Sequence, residues 1–153
     1  MSSYKKILIA VDLATDNKKV LSKAANMVAT YNAEVVLLSV CDLPPSAYGN
    51  IYIAEIYALS DYSFSEDDVR KKMIPQLQEL ATEFGLPAGC IAVEFGRPSD
   101  VIVETAEQEN ADLIVLGSHG KHGLGLLLGS TASGVLHHAK CDVTAVRIHK
   151  EDS

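Results

Sequence analysis

Short, largely apolar runs alternate along this chain with longer segments in which apolar positions recur every three or four residues. The runs are Lys6–Val11 (KILIAV), Glu34–Val40 (EVVLLSV), Cys90–Phe95, Leu113–Leu116 and Val143–Ile148. A strand with one solvated face alternates apolar and polar side chains; these do not, so they predict strands covered on both faces. Between them, Asp16–Tyr31 gathers Val20, Leu21, Ala24, Met27 and Val28 on one helical face and leaves Lys18, Lys19 and Lys23 outside it. Ser63–Phe84 carries a second such stripe through Val69, Met73, Leu77, Leu80 and Phe84, with Gly85 and Pro87 ending it. Pro75 lies in the middle of this stripe, where its missing N–H and its ring predict a kink or a break. Pro98 suits the first turn of a helix over Ser99–Glu109, and Ser130–His138 reads as the last helix.

Strand and helix therefore alternate from end to end, which calls for right-handed crossovers and a parallel sheet. The expectation is an α/β fold: one domain over residues 1–153, a doubly wound five-stranded parallel sheet with helices on both faces. Ligands of such sheets sit beyond the carboxyl ends of the strands, where strand order reverses. Asp12, Val40 and Gly117–Gly120 all fall at carboxyl ends. The segment Asp42–Tyr62 fits neither period and holds Pro44-Pro45 and four tyrosines, Tyr48, Tyr52, Tyr57 and Tyr62. It reads as a surface loop with a short helix near Ile51–Leu59; the alternative is a lid or a partner surface near the crevice.

Composition narrows the partners. A net charge of −7 without clustered Lys and Arg argues against a nucleic-acid partner, though a single nucleotide needs only local donors. No apolar run reaches membrane-spanning length, and MSSYKKILIAVD lacks the order of a signal peptide, so a cytoplasmic protein without a membrane contact is expected. Cys41, Cys90 and Cys141 are far apart and form no C-x-x-C, which reads as reduced, packed thiols.

The chemistry concentrates in ADLIVLGSHGKHGLGLLLGST, Ala111–Thr131. An apolar strand runs into a glycine-rich loop and then into the start of a helix. Exposed backbone N–H groups and the positive end of the helix dipole then face one point, an arrangement that holds phosphate. Two common phosphate motifs are absent. A P-loop needs Gly at position 115 and Ser or Thr after Lys121, where the chain has Val115 and His122. The G-x-G-x-x-G of dinucleotide folds fails at Leu128, three residues after Gly125.

Nearly the whole chain resembles the universal stress protein family. The resemblance is carried by KKILIAVDLA at the start, ELATEFG at the end of the second helix, VEFGRP, ADLIVLGSHG, and the closing CDVTAVRI. The ATP-binding branch of that family has G-x2-G-x9-G-[ST]; here Gly117 and Gly120 match the first part and Gly129-Ser130 the last, with eight residues, Lys121–Leu128, between. The resemblance implies an adenine nucleotide alpha-hydrolase-like fold and an adenine nucleotide ligand, ATP or AMP, with Mg²⁺ possible beside ATP. By position, Asp12 would accept from the ribose hydroxyls, and Ala10, Val11 and Val40 would line the adenine pocket. Gly117, His119 and Gly120 would let the backbone approach the ribose and α-phosphate, and Gly129, Ser130 and Thr131 would hold phosphates. The resemblance also implies a stress-response homodimer in which the last strand, Val143–Ile148, pairs with its copy.

Each residue also has a plainer role. Asp12 is equally a turn acid or a helix N-cap, Ser130 and Thr131 are ordinary cap residues, and Gly117 and Gly120 serve turn geometry. His119 and His122 are three apart but lack the carboxylates or thiols of a metal site, and Lys121 points to water unless it reaches a phosphate. His137 and His138 suit the negative end of the last helix. No nucleophile, base and charge clamp assemble, so the leading expectation is a nucleotide-binding regulator with at most slow ATP hydrolysis. The alternatives are a nucleotide-free dimeric interaction module of the same fold, with an unknown protein partner, and a slow ATPase or phosphotransferase.

Overall fold

The computed structural model describes residues 3–13, 15–42, 66–118 and 129–148. These form β1 (Lys6–Ala10), α1 (Lys18–Tyr31), β2 (Glu34–Cys41), α2 (Glu66–Glu83), β3 (Ile91–Phe95), α3 (Pro98–Gln108), β4 (Leu113–Gly117), α4 (Ser130–His138) and β5 (Asp142–Val146). The five strands make one sheet in the order β3-β2-β1-β4-β5, and every neighbouring pair is parallel. The doubly wound α/β fold expected from the apolar pattern is the fold observed.

The reason lies in side-chain alternation on the central strands. Ile7, Ile9, Leu37 and Val115 point to one face and pack with Val20 and Leu21 of α1 and Leu77 of α2. Leu8, Leu38, Ile114 and Leu116 point to the other and pack with Ile102 of α3 and Val135 of α4. The sheet thus sits between two helical layers, and Ile7, Leu8 and Ile9 are each 0% exposed. Burial of each such side chain is worth about 1.5–3 kcal/mol, which makes the three middle strands the anchor of the fold. The outermost strand β5 is less covered, with Val143, Thr144 and Ala145 only half-buried.

Helix ends follow local chemistry. Pro98 sits in the first turn of α3, and the acidic first turn of α2 (Glu66, Asp67, Asp68) complements the helix dipole. Asn32, at φ 51°, ends α1 in the left-handed conformation that Asn tolerates better than most residues. His137 and His138 occupy the last turn of α4, as the dipole favours.

Beyond shifts of a residue at several strand ends, three departures from the sequence-based expectation have a local cause. Pro75 does not break α2, which runs on from Glu66 to Glu83. Pro75 and Lys71 are both exposed, so water can serve the carbonyl that the proline leaves unbonded. Meanwhile Met73 and Ile74 before it and Leu77 and Ala81 after it all pack on the sheet. α1 starts at Lys18 rather than Asp16, because Asn17 is the N-cap residue and Asp16 Oδ1 accepts from the Lys18 N–H (3.0 Å). β5 ends at Val146 rather than Ile148, because the Ile148 N–H turns to the Ser118 hydroxyl (3.1 Å) instead of continuing the ladder. The helix expected near Ile51–Leu59, most of the Asp42–Tyr62 segment and the Ser63–Ser65 start of the second helix lie outside the described residues.

The three cysteines are free and half-buried. Burial pushes all three thiols above their ordinary pKa, so they stay neutral packing groups rather than nucleophiles.

α3 and α4 approach closely at Gly134, where an added Cβ would lie 2.7 Å from the Ser99 Cβ. Gly134→Val should therefore destabilise the protein by about 2–3 kcal/mol through overpacking. Gly89→Ala, at a position with nothing within 4 Å, should change stability by less than about 0.5 kcal/mol. Urea denaturation of the two variants checks the contrast; equal effects would mean that the helix contact is looser than described.

Candidate functional site

β1 and β4 are hydrogen-bonded neighbours, yet the chain leaves them in opposite directions. From β1 it passes through α1 on one face to β2; from β4 it passes through α4 on the other face to β5. Ligands of such sheets sit beyond the strand ends at this change of direction. Parallel register brings the predicted residues to it. Ala10 pairs with Leu38 and Ile9 with Val115. Continued past the ladder, that register sets Asp12 beside Val40 on one flank and beside Ser118, just after Gly117, on the other.

Ala10 and Val40 are half-buried against the same core, on the face that carries α3 and α4. Val11 does not join them: its side chain is 5% exposed and packs in the opposite core, so only its backbone faces this side. Its N–H donates to the Leu38 carbonyl (2.9 Å). Asp12 is exposed at the end of β1. It is not the cap of α1, since that position belongs to Asn17, five residues on. Its carbonyl instead closes a turn by accepting from the Thr15 N–H (3.1 Å).

The far wall is the N-terminus of α4. Gly129, with φ −64° and ψ 156°, is the N-cap, so Ser130 and Thr131 are the first helical residues rather than caps. Gly129 brings no side chain to cap this end. The first bond into the helix runs from the Ser133 N–H to the Gly129 carbonyl (2.9 Å). The N–H groups of Ser130, Thr131 and Ala132 therefore have no carbonyl within the helix to bond, and the positive dipole end is presented with them. His119 and Gly120, together with Lys121, His122 and the rest of the glycine loop to Leu128, lie outside the described residues.

Two polar residues that motif reasoning passed over hold this site. Asn17 is 8% exposed, and its amide works as a clasp on the β1 exit. Nδ2 donates to the carbonyls of Asp12 (2.7 Å) and Thr15 (3.1 Å), while Oδ1 accepts from the Asp12 N–H (3.3 Å). An Asn just ahead of a helical stripe is a cap signal, which gives its place but not this reach back to Asp12. Ser118 is 6% exposed, and its carbonyl accepts from the Gly129 N–H (2.7 Å), closing the base of the glycine loop. Nothing in its sequence context beyond a small polar residue after a strand marks it. Among the described residues no cluster of His, Cys, Asp and Glu forms a metal site, and no helix is long and apolar enough to cross a membrane.

Comparison with known proteins agrees with this geometry. A model of the universal stress protein family matches residues 3–147. Universal stress protein A homolog 1 of Coxiella burnetii is 38% identical over 143 residues, covering 94% of this chain and 96% of the relative. Homolog 2 of the same organism is 37% identical over 150 residues, covering 97% and 98%. Among solved structures, the hypothetical protein MJ0577 superposes with a TM-score of 0.75 at 25% identity, covering 97% of this chain and 99% of that one. The universal stress protein UspA from Lactobacillus plantarum superposes at 0.66 with 28% identity, covering 96% and 100%. A universal stress protein solved in complex with cAMP shares the fold, with a TM-score of 0.61 at 24% identity over 95% of this chain and 98% of that one.

The Asn17 clasp can be tested apart from any ligand. Asn17→Ala removes both side-chain donors and the acceptor and leaves part-buried backbone groups of the β1 exit without them. A loss of about 1–3 kcal/mol in unfolding free energy is expected by urea denaturation. A loss below about 0.5 kcal/mol would mean that water takes over the clasp.

Proposed function

The chain belongs to the universal stress protein family, and from that premise we propose that it binds an adenine nucleotide, ATP or AMP, in the crevice between the β1 and β4 exits and acts as a regulatory homodimer. The observation that carries the reading is that Asp12 follows the carboxyl end of β1 while its parallel neighbour β4 leads on to the N-terminus of α4. An exposed carboxylate suits a ribose diol, and N–H groups without a partner inside their helix suit phosphate oxygens. Ala10 and Val40, on the same sheet face as α4, offer an apolar floor for the base. The family member solved with cAMP supports an adenine nucleotide as the class of ligand.

His119 and Gly120 complete the proposed contacts from the glycine loop, and Gly117, Gly129, Ser130 and Thr131 frame its two ends. Mg²⁺ would enter with the phosphates of ATP, neutralising them, rather than on a site of the protein's own. The residues described around the crevice include no base or nucleophile poised for transfer, so binding and release, rather than turnover, are the proposed activity. The half-buried strand β5 at the sheet edge is the proposed dimer contact, since pairing with a second copy would cover an otherwise open row of backbone groups.

Two measurements test this. Protein purified without added nucleotide and then denatured should release an adenine nucleotide on ion-exchange chromatography, the phosphate count naming it. Asp12→Ala should weaken ATP binding by about 10- to 150-fold in calorimetry, the equivalent of about 1.5–3 kcal/mol for a lost charged hydrogen bond. An empty protein that also fails to bind ATP would overturn the reading and favour a nucleotide-free interaction module. Unchanged affinity in Asp12→Ala would remove the ribose role alone.

A further inference from the structure

Asn17 stands where an Asn ordinarily caps a helix, yet it does not cap its own. It is the N-cap residue of α1, and its side chain makes no bond to the first turn of that helix. An ordinary Asn cap accepts from an N–H of that turn. This one turns back to Asp12 instead. Its Oδ1 accepts from the Asp12 N–H (3.3 Å), and its Nδ2 donates to the Asp12 carbonyl (2.7 Å). The Val11 N–H still donates to the neighbouring strand, at the Leu38 carbonyl (2.9 Å). One residue further on, a single amide takes both backbone groups, because it carries a donor and an acceptor side by side as a strand does. The Thr15 N–H and hydroxyl add two more donors to the same carbonyl, each at 3.1 Å. Asn17 is itself well anchored. Its own carbonyl accepts from the Leu21 N–H (2.9 Å), and Val20 and Leu21 seat that turn of α1 in the core.

We propose that Asn17 is a positioning residue for Asp12: it fixes the backbone from which the carboxylate projects and so sets the preference for a nucleotide that keeps both ribose hydroxyls. This rests on the adenine-nucleotide reading above. A carboxylate that accepts from two neighbouring hydroxyls must lie within hydrogen-bond reach of both, which is demanding in position. If the backbone beneath it were loose, ordering it would be part of the cost of binding. Here α1 orders it when the protein folds, through the Asn17 amide. The bonds of that amide run to Asp12 and Thr15. Val40 and the N-terminus of α4, proposed for the base and the phosphates, stand on other elements. Loss of the Asn17 amide is therefore felt at the ribose and spares the rest of the ligand.

Calorimetry on the full chain, with ATP and 2′,3′-dideoxy-ATP as probes, tests this in the wild type, Asn17→Ala, Asp12→Ala and the double variant. The wild type should prefer ATP by about tenfold or more. Asn17→Ala should weaken ATP binding by about three- to tenfold and leave the dideoxy nucleotide within about twofold of the wild type. In the Asp12→Ala background the same change should have no further effect on ATP, because Asn17 acts through Asp12. Asn17→Ser keeps a favoured cap oxygen but is too short to hold both Asp12 groups; it should behave like Asn17→Ala in binding, and it replaces that variant if the alanine protein does not fold. An equal loss for both nucleotides, or a full added loss in the double variant, would make Asn17 a structural support alone and overturn the proposal. So would unchanged ATP affinity in Asn17→Ala. A wild type that binds neither nucleotide overturns the adenine-nucleotide reading and this inference with it. A wild type that binds ATP and loses affinity in Asp12→Ala, beside an Asn17→Ala variant that does not discriminate, overturns only this one.

Discussion

Everything in this molecule follows from three strands buried on both faces. β1, β2 and β4 carry Ile7, Leu8, Ile9, Leu37, Leu38, Ile114 and Val115 at essentially no exposure. Such strands need a helical layer above and another below, and a parallel strand cannot be reached by a tight hairpin. The chain must cross over a helix each time. Once it has filled one side of β1 with β2 and β3, the far side remains for β4 and β5. The reversal of direction between β1 and β4 is thus a consequence of burying the sheet twice, and the crevice is where that reversal leaves a gap.

A gap in this place comes with its own polarity. Strand ends expose backbone groups, helices begin there, and the dipole of α4 points its positive end inward. The chain adds Asp12 on the opposite side. Holding these parts in position requires polar side chains inside the protein, at the rim of the core, where an unpartnered one is costly. Asn17 and Ser118 meet that condition by bonding backbone rather than each other. Among the described residues, each strand exit at the switch point has one such residue.

The thiols stay neutral through burial, and Tyr4, whose hydroxyl donates to Asp142 (2.7 Å), and Lys6, paired with Glu109 (2.8 Å), lie at the opposite, amino ends of the strands. The exposed Lys6–Glu109 pair contributes little to stability in water. The end of the sheet away from the crevice is therefore a surface that closes the fold.

The sequence by itself determined the layered architecture and the neighbourhood of the site. Apolar runs without alternation can only be strands covered twice, and Asp12, Val40 and Gly117 stand at their carboxyl ends whatever the details. The proline by itself predicted a kink or a break, and no break occurs, because local propensity counts a lost hydrogen bond while the helix answers to its packing on both sides of the proline. The family resemblance grouped Val11 with Ala10 and Val40; strand alternation sends the Val11 side chain into the other core. Only the tertiary structure decided that Gly129, not Ser130, caps α4, and that Asn17 and Ser118 hold the loops. Those roles depend on backbone groups brought together from residues 30 or more apart, as in the Ser118–Ile148 bond, or on the path of a turn. Periodicity and local spacing carry neither, because a hydrogen bond between distant residues leaves no trace in the order of side chains along the chain.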